Sequence, residues 1–131
     1  MSIVPIKGRT KFTINLDPTV WIFDKRKIDL ETYIQTGEIK PVGEREVSGS
    51  YAVPFEPFLK NAEPLPEAKE VICHLKDNKT ATLSLKEALQ SYLAFCLNGK
   101  AIKEDGPIHL YYPPEKHNEP PIKAIVYFEV K

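Results

Sequence analysis

The chain has no excess charge of either sign. Lys plus Arg and Asp plus Glu are 18 each over 131 residues, so the formal charge is zero. A nucleic-acid-binding domain ordinarily carries a basic balance or face, and attraction to an anionic membrane surface needs the same excess. Neither partner is expected. Cysteine stops at two, Cys73 and Cys96, too few for a disulfide framework. No run approaches the roughly 20 apolar residues of a membrane span. Met1-Ser2-Ile3-Val4-Pro5-Ile6-Lys7 lacks the apolar core of a signal peptide. With 42% hydrophobic residues there is enough to close one core. The expectation is a single cytoplasmic domain, residues 1–131, with reduced thiols.

Reactive constellations are also missing. The histidines are His74, His109 and His117. His74 and His109 fall mid-strand on the polar faces, and His117 falls in a proline-bounded loop. A metal site needs three or four converging ligands. Cys73 and His74, as neighbours on a strand, point to opposite faces and cannot share an ion. Cys96 falls on an apolar helix face, where burial raises a thiol pKa and silences it as a nucleophile. Ser84 is occupied in capping, and no glycine-flanked serine elbow exists. Glu104 and Asp105 abut a turn glycine and read as solvated. Lys25-Arg26-Lys27 reads as a solvated bend. No cofactor and no metal are expected, and catalysis is not the leading reading.

What the chain has in excess is proline, with twelve residues against an ordinary usage of about 5%. They cluster in 54–66 and 107–121, and proline fixes φ and removes a donor. Thr10–Leu16 alternates as a half-buried strand. Val20–Phe23 reads as a second strand after the Asp17-Pro18 turn. Ile28–Ile34 reads as a short helix with Asp29 as N-cap and Gly37 as its end. Glu46–Val53 reads as a strand, and 54–66 as an ordered loop packed on the body. Lys69–Leu75 and Thr80–Leu83 form a hairpin through Asp77-Asn78. Ser84-Leu85-Lys86-Glu87 is a capping box. It opens a helix over Leu85–Leu97 with Leu85, Ala88, Leu89, Tyr92, Leu93 and Cys96 on one face, stopped by Asn98-Gly99. Pro107–Tyr112 and Ile122–Val130 are the last strands. The predicted fold is α+β: one mostly antiparallel, curved sheet of six or seven strands, packed by the Leu85–Leu97 helix and one short helix.

Aromatic residues beside prolines are the remaining signal. Phe55, Phe58, Tyr111 and Tyr112 are candidate walls of a groove for a protein or peptide, since aromatic–proline neighbourhoods suit peptide recognition. Adjacent Tyr111 and Tyr112 cannot both face the core of a regular strand.

Two resemblances add to this. The segments 16–27, Leu16-Asp17-Pro18 through Arg26-Lys27, with 57–64, Pro57-Phe58-Leu59-Lys60-Asn61-Ala62-Glu63-Pro64, and 104–108, Glu104-Asp105-Gly106-Pro107-Ile108, resemble a small, largely uncharacterised family of Gram-positive spore-forming bacteria. Some of its members carry the label of a peptidyl-prolyl isomerase. The arginine motif of cyclophilins and the paired histidines of parvulins have no counterpart here, so the label implies an activity and no site residues. The C-terminal third, Asp105–Pro113 with Ile122–Val130, is similar to the final strands of sulfite-oxidase-type molybdopterin domains. That family's cysteine ligand to molybdenum has no counterpart, so the resemblance implies shared topology without the cofactor. Three functions follow as expectations. The first is a non-catalytic binding or interaction protein using the proline and aromatic loops. The second is a prolyl isomerase, and the third a cofactorless relative of molybdopterin domains.

Overall fold

A computed structural model describes residues 3–131. Met1 and Ser2, the start of the N-terminal stretch read above, lie outside the described residues. In chain order the elements are β1 (Val4–Gly8), β2 (Ile14–Leu16), β3 (Ile28–Asp29), α1 (Leu30–Thr36), β4 (Tyr51–Pro54), α2 (Glu56–Ala62), β5 (Glu70–Leu75), β6 (Thr80–Ser84), α3 (Leu85–Leu89), β7 (Tyr92–Leu97), β8 (Lys100–Ala101), β9 (His109–Tyr111) and β10 (Ile125–Val130). The class is α+β, as the sequence led us to expect.

The strands form two sheets, where one curved sheet of six or seven strands was expected, because the apolar strands β4 and β7 pack face to face against β5 and β10 instead of extending their sheet. The first has the order β2-β1-β10-β5-β6, and the second β3-β4-β7-β8 with β9 also on β7. The β1–β10 pair is parallel, with Ile6 opposite Phe128; the other strand pairs are antiparallel. Alternation places Ile6, Val71, Cys73, Phe128 and Val130 on the inner face of the first sheet, fully shielded. They meet Tyr51, Val53, Leu93 and Phe95 of the second sheet in the larger core. The opposite face of the second sheet, Ala52 and Ala94, is covered by Leu30 and Tyr33 of α1 in a smaller core. β4 and β7 are therefore buried on both faces, and such strands read as continuous apolar runs instead of alternating ones.

This double burial corrects the main expectation. The helix over Leu85–Leu97 is five residues long and ends at Leu89, and 92–97 is the strand β7. The apolar spacing from Leu85 to Cys96 fits a helix face, but Leu93-Ala94-Phe95-Cys96 is apolar without interruption, and all four side chains are buried. A one-sided helix would have left Ala94 or Phe95 in water. The Ser91 hydroxyl donates to the Ala88 carbonyl at 2.7 Å where the chain leaves the helix. Asn98-Gly99 is accordingly a hairpin turn between β7 and β8, not a helix stop. Both residues are left-handed, at φ 52° and 79°, the conformation a two-residue turn requires. The capping itself holds: the Ser84 hydroxyl accepts from the Glu87 amide at 3.0 Å.

Other differences have similar local causes. Residues 18–23 form a 3-10 helix, not a strand. The Asp17 carboxylate accepts from the Thr19 amide and hydroxyl at 3.1 and 2.6 Å, and Pro18 sits in the first turn, where its missing donor costs nothing. Pro57 does the same for α2, which replaces the predicted loop between Pro54 and Pro66. The strand expected over Thr10–Leu16 shrinks to Ile14–Leu16 because the Lys11 and Phe12 amides donate instead to Glu63 and Ala62, at the end of α2. The strand expected over Glu46–Val53 begins only at Tyr51. The short helix after Ile28 is α1: Asp29 accepts from the Thr32 amide at 3.0 Å, and Gly37 closes it at φ 74°. The Asp77-Asn78 turn also stands as read, with both residues left-handed. No helix among the described residues is long and apolar enough to cross a membrane.

Candidate functional site

The four aromatic residues proposed as a groove take structural positions. Phe55 is fully buried, with its ring 4.6 Å from that of Phe128. Phe58 is half-buried, stacked on Trp21 at 5.1 Å with the Arg26 guanidinium 4.9 Å from its ring centroid. Tyr111 belongs to the smaller core under α1, and Tyr112 packs against the larger one. The Tyr112 carbonyl accepts from the Tyr33 hydroxyl at 2.5 Å. The two tyrosines thus serve opposite faces, as their adjacency requires.

The histidines are each hydrogen-bonded. His74 Nε2 lies 2.8 Å from Glu129 Oε1, and its ring stacks on Tyr127 at 4.2 Å. His117 Nδ1 donates to the Ile34 carbonyl at 2.7 Å. His109, expected on a polar face, is buried, with Nε2 2.8 Å from Asp105 Oδ1. Its strand is paired on both edges, with β7 and with the chain bridging back through Ile122, and His109, Leu110 and Tyr111 are all buried, so both of its faces are covered. Lys27 is a second correction. It is fully shielded, and its ammonium donates to the carbonyls of Ile22, Glu44 and Glu46 beneath the Tyr51 ring. A run of three cations carries no local signal for which one is buried.

Both cysteines are free and buried. Burial pushes the Cys73 thiol up to about 12 and shifts Cys96 in the same direction. The Cys96 thiol donates to the Gly49 carbonyl at 3.5 Å. Both thiols are enclosed in the core, and neither lines the cleft described below. No group of three or more metal-ligating side chains is found among the described residues.

A cleft of about 530 Å3 opens where the two sheets meet. Its lining includes Ile125 and Val126 of β10, Phe95 of β7, Ile102, Pro18 and Pro107. The Ile102–Pro107 segment folds tightly because residue 106 is glycine: a Cβ there would lie 2.3 Å from the Ile102 carbonyl oxygen. Lys76 and Lys103 also line the cleft, and the Lys76 ammonium donates to the Glu104 carbonyl at 3.2 Å. Two of the apolar side chains lining the cleft, Ile3 and Val126, remain 39% and 45% exposed. Val20, 62% exposed, follows directly after Thr19 at its edge. None of Phe55, Phe58, Tyr111 and Tyr112 lines this cleft. Its residues converge from positions 3, 18, 76, 95, 102 and 126, a convergence that no local motif announces.

No family model matches the chain, and no curated protein sequence matches it. Among solved structures, the sulfane dehydrogenase SoxCD from Paracoccus pantotrophus is similar, with a TM-score of 0.63 and 15% identity. The match covers 98% of this chain and 38% of that one. The chain therefore spans well under half the length of this neighbour, and the likeness at this identity is one of fold. It accords with the similarity of the C-terminal third to sulfite-oxidase-type domains. The comparisons bring no support for the spore-former family or its isomerase label.

Proposed function

We propose that this is a non-catalytic binding protein that seats an apolar segment of a protein or peptide partner in the cleft between the sheets. The observation that carries this is the pair of solvent-exposed aliphatic side chains, Ile3 and Val126, in the wall of a concave site of about 530 Å3. That volume lies within the roughly 300–1,000 Å3 typical of ligand sites. Exposed apolar surface gathered in a concavity is costly to leave in water and gains most when covered. The free cysteines suit a cytoplasmic setting. Titration with the neutral apolar fluorophore N-phenyl-1-naphthylamine tests the reading. Saturable binding is expected, lost in Ile3→Asn/Val126→Asn and kept in Val47→Asn, a control on another exposed aliphatic residue. Equal binding by all three proteins would defeat it.

A further inference from the structure

We infer that the occupant of this cleft is an extended peptide segment combining apolar residues with an acidic one; the inference rests on the binding reading above. The charged residues lining the cleft are Lys76 and Lys103, with no carboxylate among its lining residues. In a chain whose charges balance at 18 and 18, a wall with two cations and no anion is a local bias. Three acids adjoin these lysines in sequence, Asp77, Glu104 and Asp105, and none of them lines the cleft; Asp105 is moreover engaged elsewhere. Asp105 lies 2.8 Å from His109 and 3.7 Å from Lys123, and the hydrogen bond with His109 holds its carboxyl below the usual range. Lys103 has no ion-pair partner among the described residues. Lys76 commits one of its three donors to the Glu104 carbonyl. An incoming carboxylate would find free ammonium donors beside an apolar floor, and charge-assisted hydrogen bonds of this kind are short and strong.

The fold favours an extended chain as the source of that carboxylate. β8 ends the second sheet, and its Ala101 lines the cleft. β8 is only two residues long and both are paired with β7, so it leaves few backbone donors and acceptors for an added chain, and the main-chain contribution is confined to the Ala101 position. Alternate side chains of an extended chain point to one face, so apolar residues would enter the cleft while main-chain bonds form at that position.

Panning a random heptapeptide display library against the whole protein tests this. Enriched sequences should pair apolar residues with Asp or Glu, and their binding should be lost in Ile3→Asn/Val126→Asn. The best peptide should bind Lys76→Gln/Lys103→Gln roughly tenfold more weakly, the loss expected for one hydrogen bond to a charged group. An unchanged circular dichroism spectrum would show that the variants fold. Cleft-dependent peptides without acidic residues, or equal binding by the lysine variant, would overturn the acidic occupant and leave the binding reading standing. If the naphthylamine binds while no cleft-dependent peptide emerges, the occupant is a small molecule and the peptide is refuted. Failure of both probes would remove the cleft reading itself.

Discussion

Replacing Lys27 by methionine isolates the contribution of a buried ammonium. The side chain is fully shielded. Its Nζ lies 2.6 Å from the Ile22 carbonyl and 3.4 Å from that of Glu44, bonds a third carbonyl at Glu46, and sits 4.7 Å from the Tyr51 ring centroid. These bonds fasten the irregular 43–50 segment to the 3-10 helix at 18–23. Methionine keeps most of the stem and its packing but loses every donor. Two short bonds from a charged group contribute roughly 1.5–3 kcal/mol each. Part of this is offset, because the ammonium no longer has to be desolvated and because carbonyls of a surface segment can recover water. The net loss should be about 2–4 kcal/mol, a large share of the roughly 5–15 kcal/mol by which such a domain is stable. Urea unfolding should show a lower midpoint with the slope unchanged. Amide hydrogen exchange should accelerate in 43–50 while β5 and β10 stay protected. A variant as stable as the parent would refute the reasoning and show that desolvation cancels the hydrogen bonds.

Leu93, fully buried in β7, should cost about 2–5 kcal/mol on truncation to alanine, while Leu89→Ala, at a partly buried position, should cost less. The reverse order in urea melts would contradict the strand assignment. Gly8→Ala should impair folding strongly, since φ is 109° and the added Cβ would lie 2.4 Å from the Val130 carbonyl oxygen. A normal thermal midpoint would show that the β1–β10 junction can move. The Asp105 carboxyl is held low by His109, so its contribution is present above its unfolded pKa of about 4 and is lost as pH falls through the lower, folded value. Asp105→Asn should therefore lower stability at neutral pH and flatten its fall in acid; a parallel acid profile would contradict this. Proline-limited refolding of a test protein should not accelerate at micromolar concentration, and a dose-dependent acceleration abolished by Phe58→Ala or Tyr112→Ala would promote the isomerase reading.

The sequence by itself determined the features whose causes lie within a few residues. Asp29 and Gly37 bound α1 because a carboxylate at an N-cap and a left-handed glycine act locally. Asp77-Asn78 turns β5 into β6, and Ser84 caps α3, for the same reason. The α+β class and the alternation of β5 were legible because one face of that strand is buried and the other wet. The tertiary structure decided what depended on a second surface. The segment 92–97 is a strand because α1 covers one of its faces and the larger core the other, and a periodicity argument assumes a single buried face. Asn98-Gly99 can stop a helix or turn a hairpin, and the sheet beside it selected the hairpin. Which cation of Lys25-Arg26-Lys27 would be buried depended on carbonyls as far away as Glu44 and Glu46. The cleft likewise exists only because Ile3, Pro18, Phe95, Ile102 and Val126 are brought together by the meeting of two sheets. No spacing along the chain encodes that distance.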